Sequence, residues 1–483
     1  MSKKILLYNC INKQFFGKVS DPISLGVLAI SSCLKQAGYQ TKLIPNIENK
    51  NTINILKRQL KNTLMVGVSC MTGDPILNGI KFSKIVKKIN PKVAVCWGGY
   101  HATMDYQNTI KENFVDYVIR GQGESAMVEL AKAISHHQKL SSIKGLVYKH
   151  RQKIITNPIR PIEPIDKFPF FDYDAYLSCY RLKRLDDIIY CSSRGCPFEC
   201  TFCSVSNFYH KNCLFYSDKR FLQDILTIVN RHHPAIIRIW DDNFFINKKR
   251  VISFLKNYLK NNYHFKWEAF ARCTSFNQED KHYLTLLKKT NCSRILFGAE
   301  SGSDKILRYL KKHLQIQDII KSCQIVSKYN INTDYTFMSG FPDETIADLK
   351  KTIALIKKIN SISSQVSTRL FSFNLSPGIP ILKDCQKHGF KYPQRLKDWS
   401  QFEYHSFIAP WITKKHQHLL KILVWITTFL SPTNAPSSSN PYLNFFMKLL
   451  TLDARFRVQN DFYAFAFEWQ FFYWLYKKHY TQA

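Results

Sequence analysis

A chain of 483 residues exceeds the size at which a single hydrophobic core keeps growing, so two or more domains are expected. Its 45% hydrophobic and 22% charged content is that of a folded protein, and no apolar run reaches the roughly eighteen residues of a membrane span. The net charge of +34 is spread along the chain rather than gathered in one patch, which argues against a dedicated nucleic-acid site. Fourteen cysteines without a secretory leader point to reduced thiols, metal chemistry and a cytoplasmic setting.

Residues 1–135 read as alternating strands and helices. KKILLYN (3–9), TKLIP, LMVGVS, KVAVCWGG and DYVIRG are strand-like, and PISLGVLAISSCLKQAGY (22–39) has apolar residues at helical spacing. This rhythm predicts βαβ units, a mostly parallel Rossmann-like sheet and a ligand at the carboxyl ends of its strands. Ser69, Cys70 and Met71 close one strand, and Gly98 and Gly99 close the next, where bare backbone lets a flat ligand lie close. Together with GGYHAT (98–103) and GQGE (121–124), the segment resembles a cobalamin-binding domain. The resemblance implies that Ser69, Met71, Gly98 and Gly99 help hold cobalamin; the alternative is a plain Rossmann-like domain whose glycines only make turns. Many such domains carry Asp-x-His-x-x-Gly after the first strand. Here the loop begins Asn9-Cys10-Ile11-Asn12, so no imidazole is expected beneath the cobalt.

Residues 136–185 read as a join: a small hairpin, then a stiff connector with four prolines between 158 and 169. From 186 to 385 six strand-like segments recur, each followed by a helical stretch: 186–193, 235–242, 264–272, 293–301, 332–340 and 367–375. Repeated βα units of this length predict a partial (β/α)6 barrel, similar to a TIM barrel, with function at the carboxyl ends of its strands. Polar residues fall there: Arg194, Asp241-Asp242-Asn243, Arg272, Glu300-Ser301, Gly340 to Pro342, and Asn374.

Just past the first of these strands, SSRGCPFECTFCS places Cys196, Cys200 and Cys203 at C-x3-C-x2-C spacing. Three thiolates on one short loop can hold three irons of a [4Fe–4S] cluster and leave the fourth iron open. Zinc would need a fourth ligand, which His210 or Cys213 is placed to offer.

The loop, with aromatic Phe202 before its last cysteine and Gly195 ahead of its first, resembles the signature of the radical S-adenosylmethionine (radical SAM) enzymes. DDNFF at the second strand, GAESGS at the fourth, GFPDET at the fifth and PGIPI (377–381) after the sixth resemble that family's other motifs. The resemblance implies that S-adenosylmethionine binds the open iron and is cleaved to a 5′-deoxyadenosyl radical. Asp241 or Asp242 would then take its ammonium, Arg272 its carboxylate, Glu300 and Ser301 its ribose, and the backbone from Phe337 to Gly340 its adenine. For Asp241, Asp242 and Arg272 an ion-pair network closing the barrel mouth is the alternative.

After residue 385 the chain turns helical and aromatic, with a loop at SPTNAPSSSNP (431–441). Residues 386–483 are expected to form a helical subdomain packed on the barrel; a cover for an apolar substrate and a membrane-surface element are the alternatives. The domain order resembles the cobalamin-dependent radical SAM class, which includes methyltransferases and magnesium-protoporphyrin monomethyl ester cyclases. That implies a small-molecule, lipid or tetrapyrrole substrate, a flavodoxin- or ferredoxin-type electron donor, and peripheral membrane contact. The rival readings are a tRNA methylthiotransferase, whose second cluster would draw on Cys10, Cys33, Cys70 and Cys96, and a cobalamin or cluster sensor without turnover.

Overall fold

Two parallel sheets organise the chain. The computed structural model describes residues 3–10, 23–46, 50–402, 409–430, 441–463, 466, 468 and 469. The first sheet contains β1 (Lys4–Asn9), β2 (Gln40–Ile44), β3 (Thr63–Ser69), β4 (Ala94–Gly98) and β5 (Tyr117–Ile119), in the order β2-β1-β3-β4-β5. Parallel strands must be covered on both faces, and β1 accordingly buries the unbroken run Ile5 to Tyr8. Strand order reverses between β1 and β3, and such a reversal opens a crevice at the carboxyl ends of the strands. A hairpin of β6 (Leu146–His150) and β7 (Lys153–Thr156) adds antiparallel to β5, so the expected hairpin extends this sheet.

The second sheet is entirely parallel and follows chain order: β8 (Asp187–Tyr190), β11 (Ile236–Ile239), β12 (Lys266–Ala271), β13 (Cys292–Glu300), β14 (Asn332–Ser339) and β15 (Val366–Ser372). A two-stranded ribbon, β9 (Ser193–Arg194) with β10 (Leu214–Phe215), frames the cysteine loop. The six strands lie at the positions read from the sequence. Because all run one way, their carboxyl ends share one rim. Helices between them are amphipathic and capped: the Asn247 side chain accepts from the Arg250 N–H at 3.1 Å, and Thr345 with Asp348 forms a capping box.

The last hundred residues divide. Helix Lys414–Phe429 lays Leu420, Leu423 and Val424 into the apolar core of the second sheet, and its Thr427 hydroxyl accepts from the Leu370 N–H at 3.0 Å. Helix Pro441–Gln459 packs on it through Met447, Leu450, Ala454 and Val458. Residues 386–402 go elsewhere. Phe390, Leu396, Trp399 and Phe402 join Leu6, Phe82 and Trp97 in one apolar cluster against the first sheet. This stretch forms a strap whose aromatic side chains pack between the first sheet and the Phe341, Phe373 and Leu375 side chains of the second domain. Among the described residues no helix is long and apolar enough to cross a membrane.

Trp399 is 0% exposed, with the rings of Tyr392 and Phe402 both 5.1 Å away and His101 at 5.9 Å. Truncating it leaves a large cavity, so Trp399→Ala should cost about 3–5 kcal/mol of stability in denaturant unfolding. A loss below about 1 kcal/mol would mean that the strap does not hold the domains together.

Candidate active site

A loop without regular structure still has backbone groups to satisfy, and here two aspartates do so. Asp241, at the end of β11, is 0% exposed. It accepts from the Ser192 N–H, the Ser192 hydroxyl and the Ser193 hydroxyl, each at 2.6 Å. Arg250 donates to the Ser192 carbonyl at 2.8 Å. Asp242 accepts from the Gly195 N–H at 2.9 Å. Gly195 sits at φ +89°, and a Cβ there would lie 2.2 Å from the Asn212 carbonyl, so only glycine fits.

The aspartates therefore differ in role. Asp241 is spent on the base of the cysteine loop, whereas Asp242 keeps part of its side chain exposed to solvent. Burial there, with Asp241 adding to it, raises the Asp242 carboxyl to about 6.

Cys200 is buried, and Cys196 and Cys203 are partly exposed. Burial pushes the Cys203 thiol up to about 12 and also raises Cys196, so metal binding must displace protons from both. Among the described residues no three His, Cys, Asp or Glu side chains converge on one metal ion. That suits a cluster, in which each sulfur takes a separate iron and the three need not converge.

Beyond the loop, Arg272 stacks over the Phe198 ring at 3.8 Å, places Nη1 3.9 Å from Cys200 Sγ, and donates from Nη2 to the Lys312 carbonyl. Glu300 has a left-handed backbone, φ +66°, and pairs with Lys312 at 2.6 Å, both side chains being under a tenth exposed. A Cβ at Gly298 would fall 2.3 Å from the Glu300 carboxylate, so that glycine makes room for the pair. Phe202 lies beneath the Lys312 ammonium at 5.8 Å. Ser301 turns inward: its hydroxyl lies 3.4 Å from that of Thr352 and accepts from the Ser303 N–H at 3.1 Å. Gly340 and Phe341 give their N–H groups to Glu344, and the Gly340 carbonyl accepts from the Trp411 indole at 2.8 Å. The sequence singles out neither Lys312 nor Glu344, although the spacing of Glu344 four residues after Gly340 suits such a return bond.

A cavity of about 310 Å³ opens at the switch point of the first sheet. Ser69, Met71, Gly98 and Gly99 all line it, and Met71 is 56% exposed. Gly99 sits at φ +89°, with the Cys70 carbonyl 3.2 Å from where a Cβ would stand, which leaves a bare cradle for a flat ligand. Arg194, Phe208 and Tyr209 complete the wall from the other domain. Glu124 pairs with Arg194 across the seam, and Tyr100 meets Phe208 with ring centroids 4.3 Å apart. Asn9 lines the cavity, residues 11 and 12 lie outside the described ones, and no histidine is among the described lining residues.

The donor set of the loop thus fits an iron–sulfur cluster, and the glycine cradle fits a flat cofactor. Comparison with known proteins agrees on both counts. Residues 190–356 match the family model of the radical SAM superfamily, and residues 19–131 match that of the B12 binding domain. The chain thus carries a radical SAM domain and a B12-binding domain. The uncharacterized methyltransferase PH0819 of Pyrococcus horikoshii is 28% identical over 388 residues, covering 78% of this chain and 83% of that protein. The anaerobic magnesium-protoporphyrin IX monomethyl ester cyclase of Rubrivivax gelatinosus is 24% identical, covering 69% of this chain; the match spans 62% of the cyclase. In fold, the radical SAM methyltransferase TsrM of Kitasatospora setae, solved with tryptophan and an S-adenosylmethionine analogue, superposes with a TM-score of 0.70 at 15% identity, covering 93% of this chain and 96% of that one. The chain is a radical SAM enzyme of this kind.

Glu344 gives the radical SAM domain a titratable lock on its fifth-strand turn. Burial raises its carboxyl from the usual 4.5 to about 7. Between those values the unfolded chain has released a proton that the folded protein keeps, so stability falls as pH rises through the window. Glu344→Gln removes that slope. From pH 4.5 to 8 the variant should gain on the parent by about 3 kcal/mol in denaturant unfolding; a pH-independent difference would contradict the assignment.

Proposed function

We propose that the chain is a cobalamin-dependent radical SAM enzyme that modifies an unactivated carbon of an apolar substrate, with C-methylation the favoured outcome. One observation carries this reading. The glycine-cradled cavity and the cysteine loop meet at Arg194, which lines the cavity and directly precedes Gly195. A substrate at that seam lies within reach of both sites. When bound, the cluster with S-adenosylmethionine would supply a 5′-deoxyadenosyl radical and cobalamin a transferable methyl group.

The chain's own residues bind, orient and exclude. Cys196, Cys200 and Cys203 hold the cluster. Asp242, exposed where Asp241 is buried, would receive the ammonium of the sulfonium cofactor, while Asp241 keeps the loop in place. Glu300 faces the ribose once Lys312 has fixed it. Ser301, already satisfied beside Thr352, shapes the turn. Ser69, Met71, Gly98 and Gly99 would help hold the corrin, and Tyr100 with Phe208 would shield the seam from water.

A lipid or tetrapyrrole substrate is supported by the cyclase relatives and by Phe445, Leu449, Leu452 and Phe456, which helix Pro441–Gln459 exposes. Those side chains would also suit contact with a membrane surface that holds such a substrate. Reduction calls for a low-potential donor of the flavodoxin or ferredoxin type. The methylthiotransferase rival lacks support for its second cluster: Cys33 is buried in helix Leu25–Gln36 and Cys96 lies inside β4.

Anaerobically reconstituted protein should carry roughly four irons per chain and, once reduced, convert S-adenosylmethionine to 5′-deoxyadenosine. Alanine at Cys196, Cys200 and Cys203 together should abolish both without unfolding the chain. Roughly eight irons would favour the methylthiotransferase reading, and a full cluster without cleavage the sensor. Gly99→Val fills the cradle, so it should abolish cobalamin binding, followed by visible absorbance, while iron content stays unchanged. Undiminished cobalamin binding by that variant would place the cofactor elsewhere.

A further inference from the structure

Two buried cations stand over the aromatic rings of the cysteine loop. A guanidinium that clamps a carboxylate presents two N–H groups along one edge. Arg272 has spent Nη1 toward the Cys200 sulfur, Nη2 on the Lys312 carbonyl and its face on Phe198. Its Nε has no hydrogen-bond partner among the described residues. Lys312 stands beside it, over Phe202 and close enough to Cys200 to interact with its charge. Its ammonium is held by Glu300, in the space that Gly298 leaves. The stretch Phe198 to Phe202, with Cys200 at its centre, thus has a positive charge over each of its two aromatic rings.

We propose that Arg272 and Lys312 are positioning residues that set the reduction potential of the cluster, Arg272 through an N–H···S contact with Cys200 and Lys312 through its buried charge. The proposal rests on the cluster reading above. Positive charge and hydrogen bonds at cluster sulfurs favour the more negative, reduced state, so both groups raise the potential and ease entry of one electron from the external donor. Glu300 offsets part of the Lys312 charge, but it is the ammonium that lies over Phe202 and acts on Cys200.

The test is a potentiometric titration of the reconstituted full chain, followed by the electron paramagnetic resonance (EPR) signal of the reduced cluster, without S-adenosylmethionine or substrate. Lys312→Met keeps the apolar stem and drops the charge; the midpoint should become more negative at unchanged iron and sulfide content. Lys312→Arg should restore it. Losing one member of a buried pair strands the other, so Lys312→Met alone can cost the fold. The double variant Lys312→Met with Glu300→Gln removes both charges at similar volume and should also titrate below the parent. Arg272→Gln, which cannot offer a charged donor to sulfur, should shift the midpoint the same way. A parental midpoint in cluster-bearing Lys312→Met or in the double variant overturns the proposal. Failure of both to hold a cluster also overturns it, by assigning the pair to folding. If the parent chain itself binds no iron, the cluster reading fails instead.

Discussion

The structure depends on how an irregular loop is made rigid. Three thiols can share a cluster only if the backbone between them is fixed, and a loop lacks the ladder bonds that fix strands and helices. Here the bonds come from the neighbouring βα units. Asp241 holds Ser192 and Ser193, Asp242 holds Gly195, the Leu310 carbonyl accepts from the Thr201 N–H at 3.0 Å, and the Thr201 carbonyl accepts from the Ile381 N–H at 2.8 Å. The loop is thus tied to the segments that follow the second, fourth and sixth strands of its sheet. A single parallel sheet suits this task because it brings every carboxyl end to one rim.

The same loop anchors the first domain. Arg194 precedes it by one residue and pairs with Glu124 at the start of helix Glu124–His136, in the wall of the cavity. Both side chains are largely buried, and removing either would leave the other charge without solvent or partner. The aromatic strap around Trp399 adds a second tie, from the end of the second domain back to the first. Two contacts of different chemistry therefore hold the glycine cradle against the cysteine loop. That fixed spacing is what a reaction shared between two cofactors requires.

Most of the architecture was legible because local signals agreed with global ones. Short apolar runs alternating with amphipathic stretches mark the strands of both sheets, and the cysteine spacing marks the loop. What escaped depends on direction or distance. Adjacent aspartates at 241 and 242 look alike in sequence, yet one is buried under Ser192 and Ser193 and the other stays exposed beside Gly195. Ser301 sits in a motif that suggests a ligand but packs toward Thr352. Lys312 is one lysine in a lysine-rich chain, and only the fold brings it to Glu300. Trp399 lies nearly three hundred residues from the His101 ring it packs against, so no pattern along the chain predicts that contact.

The central claim is that the loop leaves one corner of its cluster open to a sulfonium cofactor. The most direct measurement is the EPR spectrum of the reduced, reconstituted chain with and without S-adenosylmethionine. Binding at an open iron changes that iron's ligand field, so the spectrum should shift on addition of the cofactor. A spectrum identical at saturating S-adenosylmethionine would show a cluster closed on all four sides and would contradict the account.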